Sequence, residues 1–217
     1  MAFGDSFTYG HELSDCPTND YPTHSNLTYA ALVAKQLGMD YQCHAVGASA
    51  NNAISRKIIE QIDTINQNDL VLVMWTFPIR KEFLLEGDMG YRSLSPSDDF
   101  EFALTYYRYL DTNPIYLINE TLKEIYLVQT LLEAQGIKYI FMTADTGTDI
   151  AITEKNQQVH GILVNMITDK NWFSLENNSG FYDWSRKLLR LTFTEHPPDA
   201  AHHALAQKLL KKINETS

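Results

Sequence analysis

Four short apolar runs constrain what this chain can fold into. They are Ala2-Phe3, Tyr41 to Val46, Leu70 to Trp75 and Ile137 to Thr143, each ending in small or turn-forming residues and separated from the next by helical repeats. Runs this short and this continuously apolar read as strands buried on both faces. Strands alternating with helices call for a parallel sheet with helices on either side, so the expected fold is α/β, a three-layer α/β/α sandwich around a mainly parallel sheet. Such sheets place their sites at the carboxyl ends of strands, near a switch in strand order. Gly4-Asp5-Ser6, Gly47 and Thr76 all fall at expected strand ends and would therefore share one rim.

The segments between are read as follows. Residues 11–25 are polar and turn-rich, with Pro17 and Pro22 blocking regular structure. Asn26 to Leu37 has apolar residues at helical spacing and a stop at Gly38. A second helix opens after Gly47-Ala48-Ser49-Ala50-Asn51-Asn52 and carries Ile54, Ile58, Ile59 and Ile62 on one face. Residues 78–97 read as irregular. The aromatic segment 100–116 reads as a helix stopped near Pro114, its rings expected to pack as core, and a long helix follows to Gly136. Asp145 and Asp149 fall in a Thr/Gly loop, 157–168 in a short helix, 171–185 in a mixed loop and Leu188 to Phe193 in a last short strand. Asp199 to Ile213 is an amphipathic helix, with prolines before its first turn and lysines towards its end.

Composition narrows the function. The 217 residues suit one domain, taken as 1–217, and 44 % apolar content supplies a core. A formal net charge of −10 disfavours nucleic acid or an anionic membrane as partner. Cys16 and Cys43 show no framework spacing, which suits a reducing compartment or buried thiols. No signal peptide is legible and no apolar run approaches the roughly 20 residues of a membrane span, so a cytoplasmic setting is expected. On that reading the sequons at Asn26, Asn119, Asn177 and Asn214 carry no weight. GxGxxG, GxxxxGK[ST] and HExxH are all absent, and neither a cofactor nor a metal is expected. His44 beside Cys43 reads as structural.

The stretch Ala2-Phe3-Gly4-Asp5-Ser6-Phe7-Thr8-Tyr9-Gly10 reads as a strand end that turns sharply and exposes a serine hydroxyl. It resembles the first block of the SGNH (GDSL-type) hydrolases. That resemblance implies the flavodoxin-like fold of the family, with Ser6 as nucleophile and its amide as an oxyanion donor. Val46 to Arg56 resembles the second block, which makes the Gly47 amide a second donor; Asn51 becomes a substrate contact or a helix cap. The family's third block, Gly-x-Asn-Asp, is missing. Trp75-Thr76-Phe77-Pro78-Ile79-Arg80 stands in its place and resembles a divergent subgroup found largely in phage and bacterial proteins. In that register Thr76 replaces the lost donor through its hydroxyl or amide, and Arg80 either contacts an anionic or polar substrate group or pairs with Glu82 or another surface acid.

Glu195-His196-Pro197-Pro198-Asp199-Ala200-Ala201-His202 resembles the last block and implies that His196 is the general base. The family's acid would fall at Phe193, which accepts no hydrogen bond. The base would then be held by a backbone carbonyl or by an acid from elsewhere, such as Asp183. A literal Asp-x-x-His at Asp199 and His202 offers an alternative base pair. The implied activity is hydrolysis of a small or glycan-linked acyl ester through an acyl-enzyme. The competing reading is a catalytically decayed SGNH fold serving as a binding or virion-associated module, favoured by the missing Asn and acid.

Overall fold

The computed structural model describes residues 1–18, 22–85, 90–110, 113–189 and 196–216. Its centre is a parallel sheet of β1 (Ala2–Phe3), β2 (Leu70–Trp75) and β5 (Lys138–Thr143), in the order β1-β2-β5. Leu72 and Val73 of β2 lie opposite Ala2 and Phe3, while Leu70 to Trp75 run in register with Lys138 to Thr143. Residues 41–46, expected as a strand, form none; they run along the free edge of β1 with a single parallel bridge between Ala2 and Cys43. Ala2 N donates to Gln42 O (2.9 Å), His44 N to Ala2 O (2.8 Å) and Val46 N to Gly4 O (3.3 Å). At the opposite edge, Trp172 bridges Phe141. The spatial sequence of ribbons is thus second, first, third, fourth, fifth. The order reverses next to β1, and the Gly4 turn opens at that point.

Side chains alternate across the sheet, as the period of two requires. Ala2, Leu72, Met74, Ile140 and Met142 face one helical layer, while Phe3, Val71, Val73, Trp75, Tyr139 and Phe141 face the other. The first layer contains α2 (Tyr29–Leu37), α9 (Phe181–Leu189) and α10 (Asp199–Thr216); the second contains α3 (Asn51–Gln61) and α5 (Pro114–Ala134). Local chemistry sets the helix ends. Thr28 caps α2 by accepting from Ala31 N (3.2 Å), and Gly38 closes it at φ 66°. Pro114 sits in the first turn of α5, where a missing N–H costs nothing.

Several segments differ from the sequence reading. Residues expected to be irregular contain an antiparallel pair, β3 (Lys81–Leu84) and β4 (Tyr91–Leu94). It is fastened to α3 through tertiary contacts: Arg56 grips both carboxylate oxygens of Glu82 at 2.8 Å, and the Asn52 amide bonds the Glu82 backbone in both directions. The aromatics of α4 (Glu101–Tyr109) are not core. Only Ala103 of that helix is buried; Phe102 and Tyr106 pack on Phe83 of the hairpin, and Tyr109 is 79 % exposed.

Asp145 caps a regular helix, α6 (Thr146–Glu154), where a loop was expected. Gly161, at φ 64°, divides the expected 157–168 helix into α7 (Gln157–His160) and α8 (Leu163–Met166). The last third of the expected loop 171–185 is the start of α9, and Leu188 and Leu189 are helical; the rest of the expected last strand lies outside the described residues. Among the described residues no helix is long and apolar enough to cross a membrane.

Candidate active site

The site begins where β1 ends. The chain turns through Gly4 and Asp5 into α1 (Ser6–Tyr9), a single turn. A Cβ on Gly4 would lie 2.2 Å from Thr8 Oγ1, so only glycine allows the turn to close this tightly. Asp5 caps α1 by accepting from Phe7 N (3.0 Å). Its other oxygen accepts from Thr76 Oγ1 (2.7 Å) and Arg80 Nη1 (2.8 Å). The Asp5 carboxylate is fully buried, and a charge in that position requires paired, hydrogen-bonded partners. This network ties the end of β1 to the end of β2 directly beneath Ser6.

Three side chains meet above it, Ser6 and Glu12 from the N-terminal segment and His196 from near the other end of the sequence. Ser6 Oγ lies 2.8 Å from His196 Nε2. His196 Nδ1 lies 3.0 Å from Glu12 Oε1, and the His196 amide donates to Glu12 Oε2 (3.2 Å). The glutamate therefore holds both ring and backbone of the histidine. Burial alone would raise the Glu12 pKa; the two His196 hydrogen bonds and nearby imidazoles outweigh it and hold the carboxylate below its ordinary value. Glu12 sits at φ 67°, a left-handed conformation that non-glycine residues seldom adopt and that costs about 1 kcal/mol or more where it occurs. The two loops are also joined by Ser14, whose N and Oγ donate to Asp199 at 3.2 and 2.6 Å. Phe7, Phe77 and Tyr182 form an aromatic wall beside the histidine, with the Phe7 and His196 centroids 5.4 Å apart.

Glu12 was not singled out from the sequence. The family register places the acid close to His196, at Phe193, which lies outside the described residues. The only available signal was positional: Glu12 follows the Gly4 turn closely, so its loop must lie on the same rim. Asp183, the named candidate acid, instead accepts from Thr146 Oγ1 (2.5 Å).

The alternative base pair is not assembled. His202 is 1 % exposed and its Nδ1 accepts from the Tyr29 amide (3.2 Å). Burial lowers its pKa to about 3 despite the opposing pull of Asp199, so it is a neutral core residue between the rings of Tyr29 and Phe181. Asp199 is occupied by Ser14.

Three other expectations change. Thr76 has no hydrogen left for an oxyanion, since its hydroxyl goes to Asp5 and its amide to Asn51 Oδ1 (2.8 Å). Asn51 is buried, and its amide nitrogen donates to Thr76 O (3.1 Å) and Thr121 Oγ1 (3.0 Å), which makes it a strut between β2, α3 and α5 rather than a substrate contact. Arg80 pairs with Asp5; Glu82 belongs to Arg56. Gly47 does reach the rim. A Cβ there would fall 2.5 Å from His11 Cε1, and among the described residues neither the Gly47 nor the Ser6 amide is engaged by a protein acceptor.

Together, the sheet order and this rim define a three-layer α/β fold with its candidate site at the carboxyl ends of a parallel sheet. No family model matches the chain, and no curated protein does. Among solved structures, the chain is similar to a carbohydrate esterase whose active site displays divergent catalytic and non-catalytic binding functions, with TM-score 0.50 and 15 % identity over 99 % of this chain. It is also similar to the acetyl xylan esterase Est2A from the rumen bacterium Butyrivibrio proteoclasticus, with TM-score 0.51 and 15 % identity over 99 % of this chain. It spans 64 % and 63 % of those two chains. A G-D-S-L family lipolytic protein from Desulfitobacterium hafniense aligns over 97 % of both chains at TM-score 0.49 and 11 % identity. At these identities the likeness is one of fold.

Proposed function

We propose that this protein is a serine esterase that cleaves a small or glycan-linked acyl ester through an acyl-enzyme. The observation that carries the reading is the hydrogen-bonded chain from Ser6 Oγ through His196 to Glu12. With Glu12 accepting the Nδ1 proton, the lone pair of His196 Nε2 faces the serine hydroxyl. Ser6 Oγ attacks the carbonyl carbon as its proton passes to Nε2, and the amides of Ser6 and Gly47 receive the charge on the oxygen. The tetrahedral intermediate expels the alcohol, which takes its proton from His196. Water then repeats the sequence, with His196 as base, to release the acid and restore Ser6. The acyl-ester class draws on the resemblance of the sequence blocks and on the esterase names of the structural neighbours.

The decayed-module reading rested partly on a missing acid. Glu12 supplies a carboxylate at the required atom of His196, which removes that support. The test is a fluorophosphonate probe with mapping of the adduct, alongside turnover of p-nitrophenyl acetate. Labelling at Ser6 with turnover is the expected result; no label and no turnover would sink the proposal.

A further inference from the structure

The proposed reaction has two backbone amides for the oxyanion, and Thr76 is not free to add a third donor. His11 brings an imidazole to the same glycine loop. Its amide donates to Ser6 O (3.1 Å), which fixes it just beyond the nucleophile's own helical turn. Its ring lies against Gly47, so close that any Cβ there would collide with it. The ring centroid is 6.1 Å from that of His196 and 4.7 Å from that of Tyr9. His11 therefore stands between the Gly47 amide and the histidine that faces Ser6.

The ring is 8 % exposed, and among the described residues no group hydrogen-bonds either of its nitrogens. Neither ring nitrogen is sealed off by protein, so the ring N–H can meet a ligand that enters the site. Burial, reinforced by His196, lowers its pKa, so at neutral pH the ring is uncharged and carries one N–H.

We infer that His11 is a further catalytic residue, whose imidazole N–H donates to the oxyanion of the tetrahedral intermediate beside the amides of Ser6 and Gly47. The inference rests on the ester-hydrolase reading and on no group outside this chain. It also gives Gly47 a second reason to be glycine: a side chain there would displace the donor as well as crowd the substrate.

The experiment compares His11→Phe with His11→Gln on p-nitrophenyl acetate. Phe keeps a ring against Gly47 and removes the N–H; Gln keeps an N–H at similar reach. The expected loss for His11→Phe is about 10²–10³-fold in kcat, the usual cost of one oxyanion donor, with KM little changed. His11→Gln should recover at least a tenth of the parent rate. Parent-level kcat in His11→Phe, or equal impairment of both variants, would overturn the inference and leave the esterase reading standing. No turnover by the parent protein would overturn both.

Should His11→Phe fail to fold, the parent protein answers by NMR. On forming the phosphonyl adduct at Ser6, the His11 ring N–H resonance should move downfield, and an unmoved resonance would refute the donor role.

Discussion

His196 and His202 stand six residues apart and have opposite environments. His196 lies in a loop on the rim, 21 % exposed, with a hydroxyl on one ring nitrogen and a carboxylate on the other. His202 lies inside α10, between aromatic rings, with its Nδ1 accepting from a backbone amide. In the proposed reaction the first arrangement turns a lone pair to the Ser6 hydroxyl, while the second commits the lone pair to the fold. Partners, not residue type, decide which histidine can move a proton.

Substitution tests the comparison most sharply. Ser6→Ala or His196→Ala should each reduce kcat on p-nitrophenyl acetate by up to about 10⁶-fold, the loss seen when serine hydrolases lose nucleophile or base. His202→Ala should instead lower stability by about 3 kcal/mol through a core cavity and an orphaned Tyr29 amide, read from urea unfolding, with the folded fraction retaining far more activity than His196→Ala. Loss of activity confined to the His202 variant would reverse the assignment.

Glu12→Gln keeps the shape but no longer fixes the tautomer of His196. A fall of up to about 10⁴-fold in kcat with an intact fold is expected; an unchanged kcat would show that Glu12 serves only the loop. Asp5→Asn probes the layer beneath Ser6. Removing one partner of the buried pair with Arg80 should cost about 3–5 kcal/mol in denaturant unfolding.

A further test concerns pH. His202 has a folded pKa near 3, against an unfolded value of about 6.5, so between those values the unfolded chain binds the additional proton. Its contribution to stability is complete above pH 6.5 and is lost as pH falls towards 3, at up to about 1.4 kcal/mol per pH unit. His202→Phe should flatten that acid limb. An equally steep limb in the variant would assign the effect to other groups.

Legibility varied with the range of the forces involved. The buried runs at 70–75 and 137–143 could be read because parallel strands covered on both faces are apolar at every position. The hairpin over 81–94 could not, since its pairing depends on Arg56 and Asn52 of a distant helix. The α4 aromatics looked like core because a ring's hydrophobicity does not report which side of a helix layer it will face.

At the site the same division holds. The Gly4-Asp5-Ser6 turn and the His196-Pro197 loop have local signatures, and the structure brings Ser6 and His196 to 2.8 Å. Glu12, His11 and the engagement of Thr76 have none, since each depends on which chain segment lies opposite it.

By itself, the sequence determined a parallel α/β sheet and the strand ends that share its rim, because buried apolar runs and glycine turns are properties of neighbouring residues. Only the tertiary structure decided that Glu12 would meet His196, that Thr76 and Arg80 would serve Asp5, and that His202 would belong to the core. Those outcomes depend on contacts between segments up to 184 residues apart, where geometry rather than composition selects the partner.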